Sequence, residues 1–205
     1  MRQYVSDVTY IDATKQGSAP RLGRAIAGCM LSCAEKAEKA GKEAGNIYGR
    51  NNSGAEIIFL CIGTDMATGD SLGPLVGHKL RAAERRFKDV YVYGNLENPV
   101  HAKNIAQFVK TIYNNHYNPF IVAVDACLGI REHIGWVSLG PGALRPGAGV
   151  RKTLPSVGDM FITGVVNLCA AGETAMLQNT RLGLVMRMAD AVTDGIIRAL
   201  DDCFS

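Results

Sequence analysis

The sequence predicts a three-layer α/β/α sandwich with a mainly parallel, twisted sheet. Segments with helical spacing of apolar residues alternate with short apolar runs, as expected of a sheet enclosed by helices. Two of the runs, residues 57–62 and 120–124, show little polar alternation, which is typical of strands buried on both faces. The chain has 205 residues, 47% apolar and 20% charged, so we expect one soluble globular domain over residues 1–205.

The first 54 residues are predicted to form an N-terminal helix and a linker. The helix begins near Pro20 and ends around residues 41–45. Its apolar residues recur at helical spacing: Leu22, Ile26, Met30 and Cys33. A polar linker over residues 45–54, which contains Asn-Asn-Ser-Gly, then leads into the core of the domain at residues 55–205.

The middle of the chain alternates between strand and helix. We expect strands over residues 56–62, 89–93 and 120–124, and helices over residues 72–87 and 99–116. Pro99 suits the first turn of the second of these helices, which has an apolar stripe formed by Ile105, Phe108, Val109 and Ile112.

The last third of the chain adds two strands and a helical region. We expect residues 134–139 to form an edge strand or hairpin arm, and residues 140–149, rich in Gly and Pro, to form a loop. A strand follows over residues 160–166, and helix from about Glu173. Its apolar residues suit the core or a homo-oligomer interface: Leu182, Val185, Met186, Ala189, Val192, Ile196, Ile197 and Leu200.

Carboxylates follow two of the buried strands, at the end of the sheet where ligands bind in open α/β folds. The turn after the first strand carries Asp65 and Asp70, and Asp125 follows residues 120–124 directly. Asp70 or Ser71 is also placed to cap the next helix, and Asp65 to close an Asx-turn. Capping explains one acid but not why a second strand also ends in one, so we expect Asp70 and Asp125 to form a paired-acid site.

Two carboxylates a few ångströms apart cannot both ionise freely. They share a proton and activate water, as in aspartic proteases, or they bind a divalent metal ion. The four histidines lack ligand spacing such as HExxH, so we expect no cofactor, with a divalent metal as the alternative. Asp70 and Asp125 then act as base and acid, Asp65 orients the turn or supplies a third oxygen, and the N–H groups of residues 69–73 stabilise an oxyanion.

Three further residues are candidates for substrate binding. His101 follows Asn-Pro-Val near the end of the strand over residues 89–93, so it can reach the same crevice. Arg151 and Lys152 lie in a Gly-rich segment over residues 147–159, where they would bind a peptide carboxylate or stabilise developing negative charge. An ordinary solvated loop is the alternative for that segment.

Several classes of protein are disfavoured by composition. A net charge of +3 without a basic stripe argues against nucleic-acid binding. The chain has no stretch of about 18 apolar residues and no apolar region near its start, so we expect neither a membrane span nor a secretory signal. The six cysteines include no CxxC pair, which favours reduced thiols in the cytoplasm.

The motifs around these residues resemble the YyaC family of sporulation proteins from spore-forming Firmicutes. The resemblance covers roughly residues 55–200. It is carried by residues 62–74 (IGTDMATGDSLGP), 98–101 (NPVH), 123–129 (AVDACLG), 146–150 (PGAGV), 158–164 (GDMFITG) and 178–182 (QNTRL). It implies a cytoplasmic protein of the forespore or spore.

That family is more distantly similar to the spore germination protease and the hydrogenase-maturation endopeptidases, which have a phosphorylase/hydrolase-like α/β/α fold. The acids of the germination protease correspond to Asp70 and Asp125. The maturation endopeptidases add a later His to hold nickel, and no His follows His133 here. The resemblance therefore implies a metal-free, spore-associated peptidase acting on a protein or peptide. The alternatives are an inactive sporulation scaffold or peptide-binding protein, and a metal-binding chaperone-like protein.

Overall fold

A computed structural model of the chain describes residues 7–39, 56–146, 156–169 and 173–204. These residues form a six-stranded sheet with five α-helices. The strands are β1 (Thr9–Asp12), β2 (Ile57–Cys61), β3 (Val90–Tyr93), β4 (Phe120–Gly129), β5 (Trp136–Pro141) and β6 (Met160–Leu168). The helices are α1 (Ser18–Lys39), α2 (Leu72–Arg86), α3 (Ile105–Asn115), α4 (Glu173–Gln178) and α5 (Leu182–Phe204).

The sheet has the strand order β1-β5-β6-β4-β2-β3. Its centre is parallel, because β2 pairs in parallel with β3 and β4, and β4 pairs in parallel with β6. β5 runs antiparallel to both β6 and β1. The predicted α/β class with a mainly parallel sheet is therefore confirmed.

Helices cover the two faces of the sheet unequally. On one face α1, α2 and α5 pack against a large apolar core that includes Phe59, Val122 and Ile162. On the other face α3 packs against a smaller cluster from β2, β3 and β4 that includes Leu60 and Ala123. Most apolar residues of α5 belong to the larger core, where Val185, Met188, Val192 and Ile196 are fully buried, but Leu182 at the start of the helix is 56% exposed. None of the described helices is long and apolar enough to cross a membrane.

Two predicted strand positions are wrong because neighbouring strands decide them. The short segment Thr9–Asp12 forms an edge strand that the sequence pattern did not predict. It pairs with β5, so β5 lies inside the sheet between β1 and β6 and is not an edge strand. β4 also runs to Gly129, since it keeps pairing with β6 after β2 has ended. Asp125 therefore lies within a strand and not after one.

The start of α3 is also later than predicted, at Ile105 instead of Pro99. Val100 forms a parallel bridge with Ile62, which requires extended backbone. Asn104 then holds a turn: its Oδ1 accepts the N–H of His101 at 2.8 Å, and its Nδ2 donates to the Pro99 carbonyl at 3.0 Å. The helix begins only after this turn, so His101 lies in the loop before α3.

Candidate active site

Asp125 is the first residue of β4 beyond the end of β2. The last residue pair between these strands joins Cys61 to Val124, and the N–H of Ile62 donates to the Val124 carbonyl at 2.7 Å. Because side chains alternate along a strand, the Asp125 side chain lies on the same face as Ala123, which is the face that α3 covers. Asp125 thus lies at the carboxyl end of the β2–β4 pair, as predicted, although its own strand continues.

The turn that carries Asp70 folds back onto the end of β2. The N–H of Gly63 donates to the Val100 carbonyl at 2.7 Å, and the N–H of Thr64 donates to the Asp70 carbonyl at 3.0 Å. Gly63 has a φ of +137°, and a Cβ there would lie 2.0 Å from the Asp70 carbonyl oxygen. A Cβ on Gly73 would lie 2.0 Å from the Ile62 carbonyl oxygen. Both positions therefore require glycine for this close approach.

Neither Asp70 nor Ser71 caps a helix. The turn passes through a short 3₁₀ helix, Thr68–Ser71, into α2, and neither of these two described helices has a side-chain cap at its start. The Ser71 hydroxyl donates to the Thr68 carbonyl at 2.6 Å instead. Capping, which was the alternative explanation of Asp70, is thereby contradicted.

Asp125 is almost completely buried, with 7% of its surface exposed. Burial raises the pKa of its carboxyl group well above the ordinary value, and the nearby charge of Asp70 raises it further. The N–H of Ala126 donates to Asp125 Oδ1 at 2.8 Å and opposes this shift in part. The environment of Asp125 therefore favours its protonated form.

Asp70 is half-buried, and burial raises its pKa to about 6. The Thr64 N–H and the charge of His101 lower this pKa in part. Asp70 is consequently mostly ionised at neutral pH. The structure thus brings Asp70, Asp125 and His101 together, and the environment of Asp125 raises its pKa well above the ordinary value of an aspartate.

The side chain of His101 is oriented by the turn before α3. Its Nδ1 accepts a long hydrogen bond, 3.3 Å, from the N–H of Lys103. His101 is half-buried, so one side of the ring remains open to a ligand.

Asp65 lies apart from the acid pair. It is exposed, as is its neighbour Met66, which is 90% exposed. Among the described residues, no hydrogen bond or charge interaction joins Asp65 to Asp70 or Asp125. Arg151 and Lys152 lie outside the described residues.

Two residues that were not among the predicted site residues, Asn167 and Thr180, support the Asp70 turn. Thr180 is buried, and its Oγ1 donates to the Met176 carbonyl at 2.9 Å. Asn167 Nδ2 donates to the same carbonyl at 2.8 Å and to Thr180 Oγ1 at 3.3 Å. A Cβ on Gly69 would lie 2.7 Å from Thr180 Oγ1, so the turn packs directly against Thr180. In the sequence, the polar segment QNTR between two apolar helices was the feature that could have indicated this role of Thr180.

Other chemistry is not supported at this edge of the sheet. Burial raises the pKa of the Cys127 thiol to about 11, which opposes its use as a nucleophile. Within the described part of the chain, no group of three or more His, Cys, Asp or Glu side chains is arranged to hold a metal ion.

Comparisons with known proteins agree with the motifs. Residues 36–195 match the family described as "Protein of unknown function (DUF1256)". The "Uncharacterized protein YyaC" of Bacillus subtilis (strain 168) is 50% identical over 147 residues, which are 72% of this chain and 71% of that protein. A solved [NiFe] hydrogenase maturation protease, HycI from Thermococcus kodakarensis KOD1, aligns with 70% of this chain and 93% of its own. Its identity is 17% and its TM-score 0.42, a likeness too weak to indicate a shared activity.

Proposed function

We propose that this chain, which belongs to the DUF1256 family of proteins of unknown function, is a peptidase that uses Asp70 and Asp125 as a paired-acid site. One observation carries the proposal: at the carboxyl end of the sheet, burial and the charge of Asp70 raise the pKa of Asp125 well above its ordinary value, whereas the pKa of Asp70 itself is about 6. An acid and a base of this kind are what hydrolysis of an amide bond requires.

In the proposed reaction Asp70 accepts a proton from a water molecule, whose oxygen attacks the carbonyl carbon of the peptide bond. Asp125 donates its proton to the carbonyl oxygen, and the tetrahedral intermediate then collapses as the C–N bond breaks. Asp70 gives its proton to the leaving amine, and the new acid returns one to Asp125. The products are a carboxylic acid and an amine, and no cofactor is consumed.

The other candidate residues have supporting roles in this proposal. His101 donates from Nε2 to the substrate or to Asp70, which keeps Asp70 ionised. Arg151 and Lys152 bind a carboxylate of the peptide, and Asp65 orients the turn. By its resemblance to the YyaC family, the enzyme would act in the cytoplasm of a forespore or spore.

The alternative is a peptide-binding or scaffold protein that shares the fold but does not catalyse. Two acids saturated by backbone N–H groups would favour that alternative. Here the backbone hydrogen bonds found at the acids come from Thr64 at Asp70 and Ala126 at Asp125, whereas a carboxylate has about four acceptor sites. The remaining acceptor capacity favours an enzyme.

The test is a digestion of a protein extract from sporulating cells, with new N-termini labelled and identified by mass spectrometry. We expect wild type to generate a set of new termini that Asp70→Asn and Asp125→Asn do not. Asp194→Asn, an exposed acid on α5, is the matched control and should cleave like wild type. Equal cleavage by wild type and both site variants, or cleavage by none of the four, would reject the peptidase.

A further inference from the structure

The face of the sheet that carries Asp125 is only partly covered by α3. The apolar cluster under α3 takes residues from β2, β3 and β4, and none from the described strands β1, β5 or β6. On the same face, β1, β5 and β6 present Tyr10, Trp136, Ser138, Thr163 and Val165. None of these residues belongs to either apolar cluster of the described residues.

Strand register connects this surface to Asp125. Asp125 lies opposite Thr163 in β6, Thr163 opposite Ser138 in β5, and Ser138 opposite Tyr10 in β1. These four residues therefore form one row across four strands. Trp136 belongs to the next row, because it lies opposite Asp12 in β1 and beside the Val137–Gly164 pair.

The surface is mainly aromatic, and the one acid on it in β1, Asp12, is opposite Trp136 and is bonded by Thr14 and Lys15. Tyr10 is 53% exposed, and the ring of His133 lies 6.3 Å from it and 5.1 Å from the Trp136 ring, between centroids. Between these rings and Asp125, the hydroxyl groups of Ser138 and Thr163 bond to each other at 2.7 Å. Neither of these two residues, which lie between Tyr10 and Asp125 in the row, is charged.

We propose that the surface formed by Tyr10, Trp136 and His133 binds a large apolar or aromatic side chain of the peptide substrate. This inference rests on the proposed peptidase function and names its substrate class. Adjacent strands lie about 4.8 Å apart, so Tyr10 is roughly 14 Å from Asp125 along the row. An extended peptide advances about 3.4 Å per residue, so the bound side chain lies about four residues from the cleaved bond. Continuity of the row with Asp125 makes a peptide, and not a second copy of this chain, the expected occupant.

Binding can be measured separately from cleavage. The probes are two acetylated decapeptide amides of Gly and Ser, one of which carries a single Phe. Trp136 is the single tryptophan of the chain, so its fluorescence reports occupancy of this surface directly. We expect the Phe peptide, but not the Gly/Ser peptide, to change that fluorescence. By calorimetry, Tyr10→Ala and Trp136→Ala should weaken binding of the Phe peptide about tenfold.

Tyr113→Ala is the matched control, since Tyr113 is 59% exposed on α3, and it should bind like wild type. Tyr10 is exposed on the edge strand β1, so Tyr10→Ala should fold and still tests the proposal if Trp136→Ala does not fold. Equal affinity for the two peptides, or unchanged binding by Tyr10→Ala, overturns the proposal. A fluorescence change that follows protein concentration without peptide also overturns it, because a second copy then covers the surface.

The two proposals fail in different ways. If the Phe peptide binds selectively but nothing is cleaved in the extract, the proposed binding surface is supported and the proposed peptidase activity is rejected. If proteins are cleaved but the Phe peptide does not bind selectively, the proposed peptidase activity is supported and the proposed binding surface is rejected. If both hold, cleavage sites in the extract should have a large apolar residue about four positions away, and Tyr10→Ala should remove that preference.

Discussion

Asp125 of β4 lies directly opposite Thr163 of β6, at a level of the sheet where β2 has already ended. The carboxyl group of Asp125 is therefore flanked by β6 on one side and faces the Asp70 turn on the other side, where β2 has ended. Its environment explains both the raised pKa of Asp125 and its closeness to Asp70. The same environment decides how variants of the site should behave.

Asp125→Asn should stabilise the protein at alkaline pH. The folded-state pKa of Asp125 is raised above its unfolded value, so its contribution favours the folded state at low pH and is lost as pH rises. Between about pH 4 and the folded-state pKa, the free energy of unfolding falls by roughly 1.4 kcal/mol per pH unit, and the amide lacks this dependence. Urea unfolding at pH 4, 6 and 8 should show the stability difference in favour of the variant growing with pH. Asp194→Asn should show no such trend, and a difference that shrinks as pH rises would contradict the burial of an ionisable group.

His101→Gln should shift the pH dependence of cleavage to higher pH. The positive charge of His101 lowers the pKa of Asp70, which burial has raised to about 6. Since Asp70 acts as the base, activity should rise as pH passes that pKa, and loss of the charge should move this rise upward. The carboxyl carbon of Asp70, followed by NMR during a pH titration, gives the same pKa without a substrate. An unchanged titration would show that His101 does not act on Asp70.

Gly63→Ala should destabilise the fold by roughly 3 kcal/mol or more, because the new Cβ would meet the Asp70 carbonyl in a strained backbone conformation. Gly28→Ala is the matched control. Gly28 is exposed in the middle of α1, and a Cβ there would have no described atom within 4 Å, so alanine should stabilise by up to about 1 kcal/mol. Thermal and urea unfolding of both variants measure the contrast. If the two substitutions changed stability equally, the Asp70 turn would not be packed against the end of β2.

Thr180→Val should loosen the support of the Asp70 turn. The substitution keeps the shape of the side chain but removes its hydrogen bonds to Met176 and Asn167. A loss of about 1–2 kcal/mol in the free energy of unfolding is expected. Hydrogen exchange at the N–H of Asp70, which donates to the Ala67 carbonyl, should also become faster. Thr193→Val, a buried threonine of α5 whose hydroxyl has no partner among the described residues, is the control and should not affect that exchange.

The buried strands and the long helices were predictable from the sequence. Ile57–Cys61 and the first five residues of Phe120–Gly129 are continuous apolar runs, and α2 begins at the predicted Leu72. Runs of this length and composition are explained by strands buried on both faces. Asp70 and Asp125 were also predicted to meet, since the parallel strands that carry them lead to one edge of the sheet.

The features that were not predictable depend on contacts between distant segments. Asp125 looked like the end of a strand because the apolar run stops there, but pairing with β6 extends β4 by four more residues. Pro99 looked like a helix start, yet the bridge from Val100 to Ile62 keeps that segment extended. Thr9–Asp12 is short and half polar, and it becomes a strand only because β5 is available to pair with it.

The burial of Asp125 has a genetic consequence. An aspartate codon becomes an asparagine codon through one base change, and that change would relieve the folded chain of an unfavourable acid. A lineage that did not need the carboxyl group would therefore drift to asparagine readily. Retention of aspartate at position 125 among relatives would record continuing selection for its chemistry, and its frequent replacement would identify lineages in which the reaction has been abandoned.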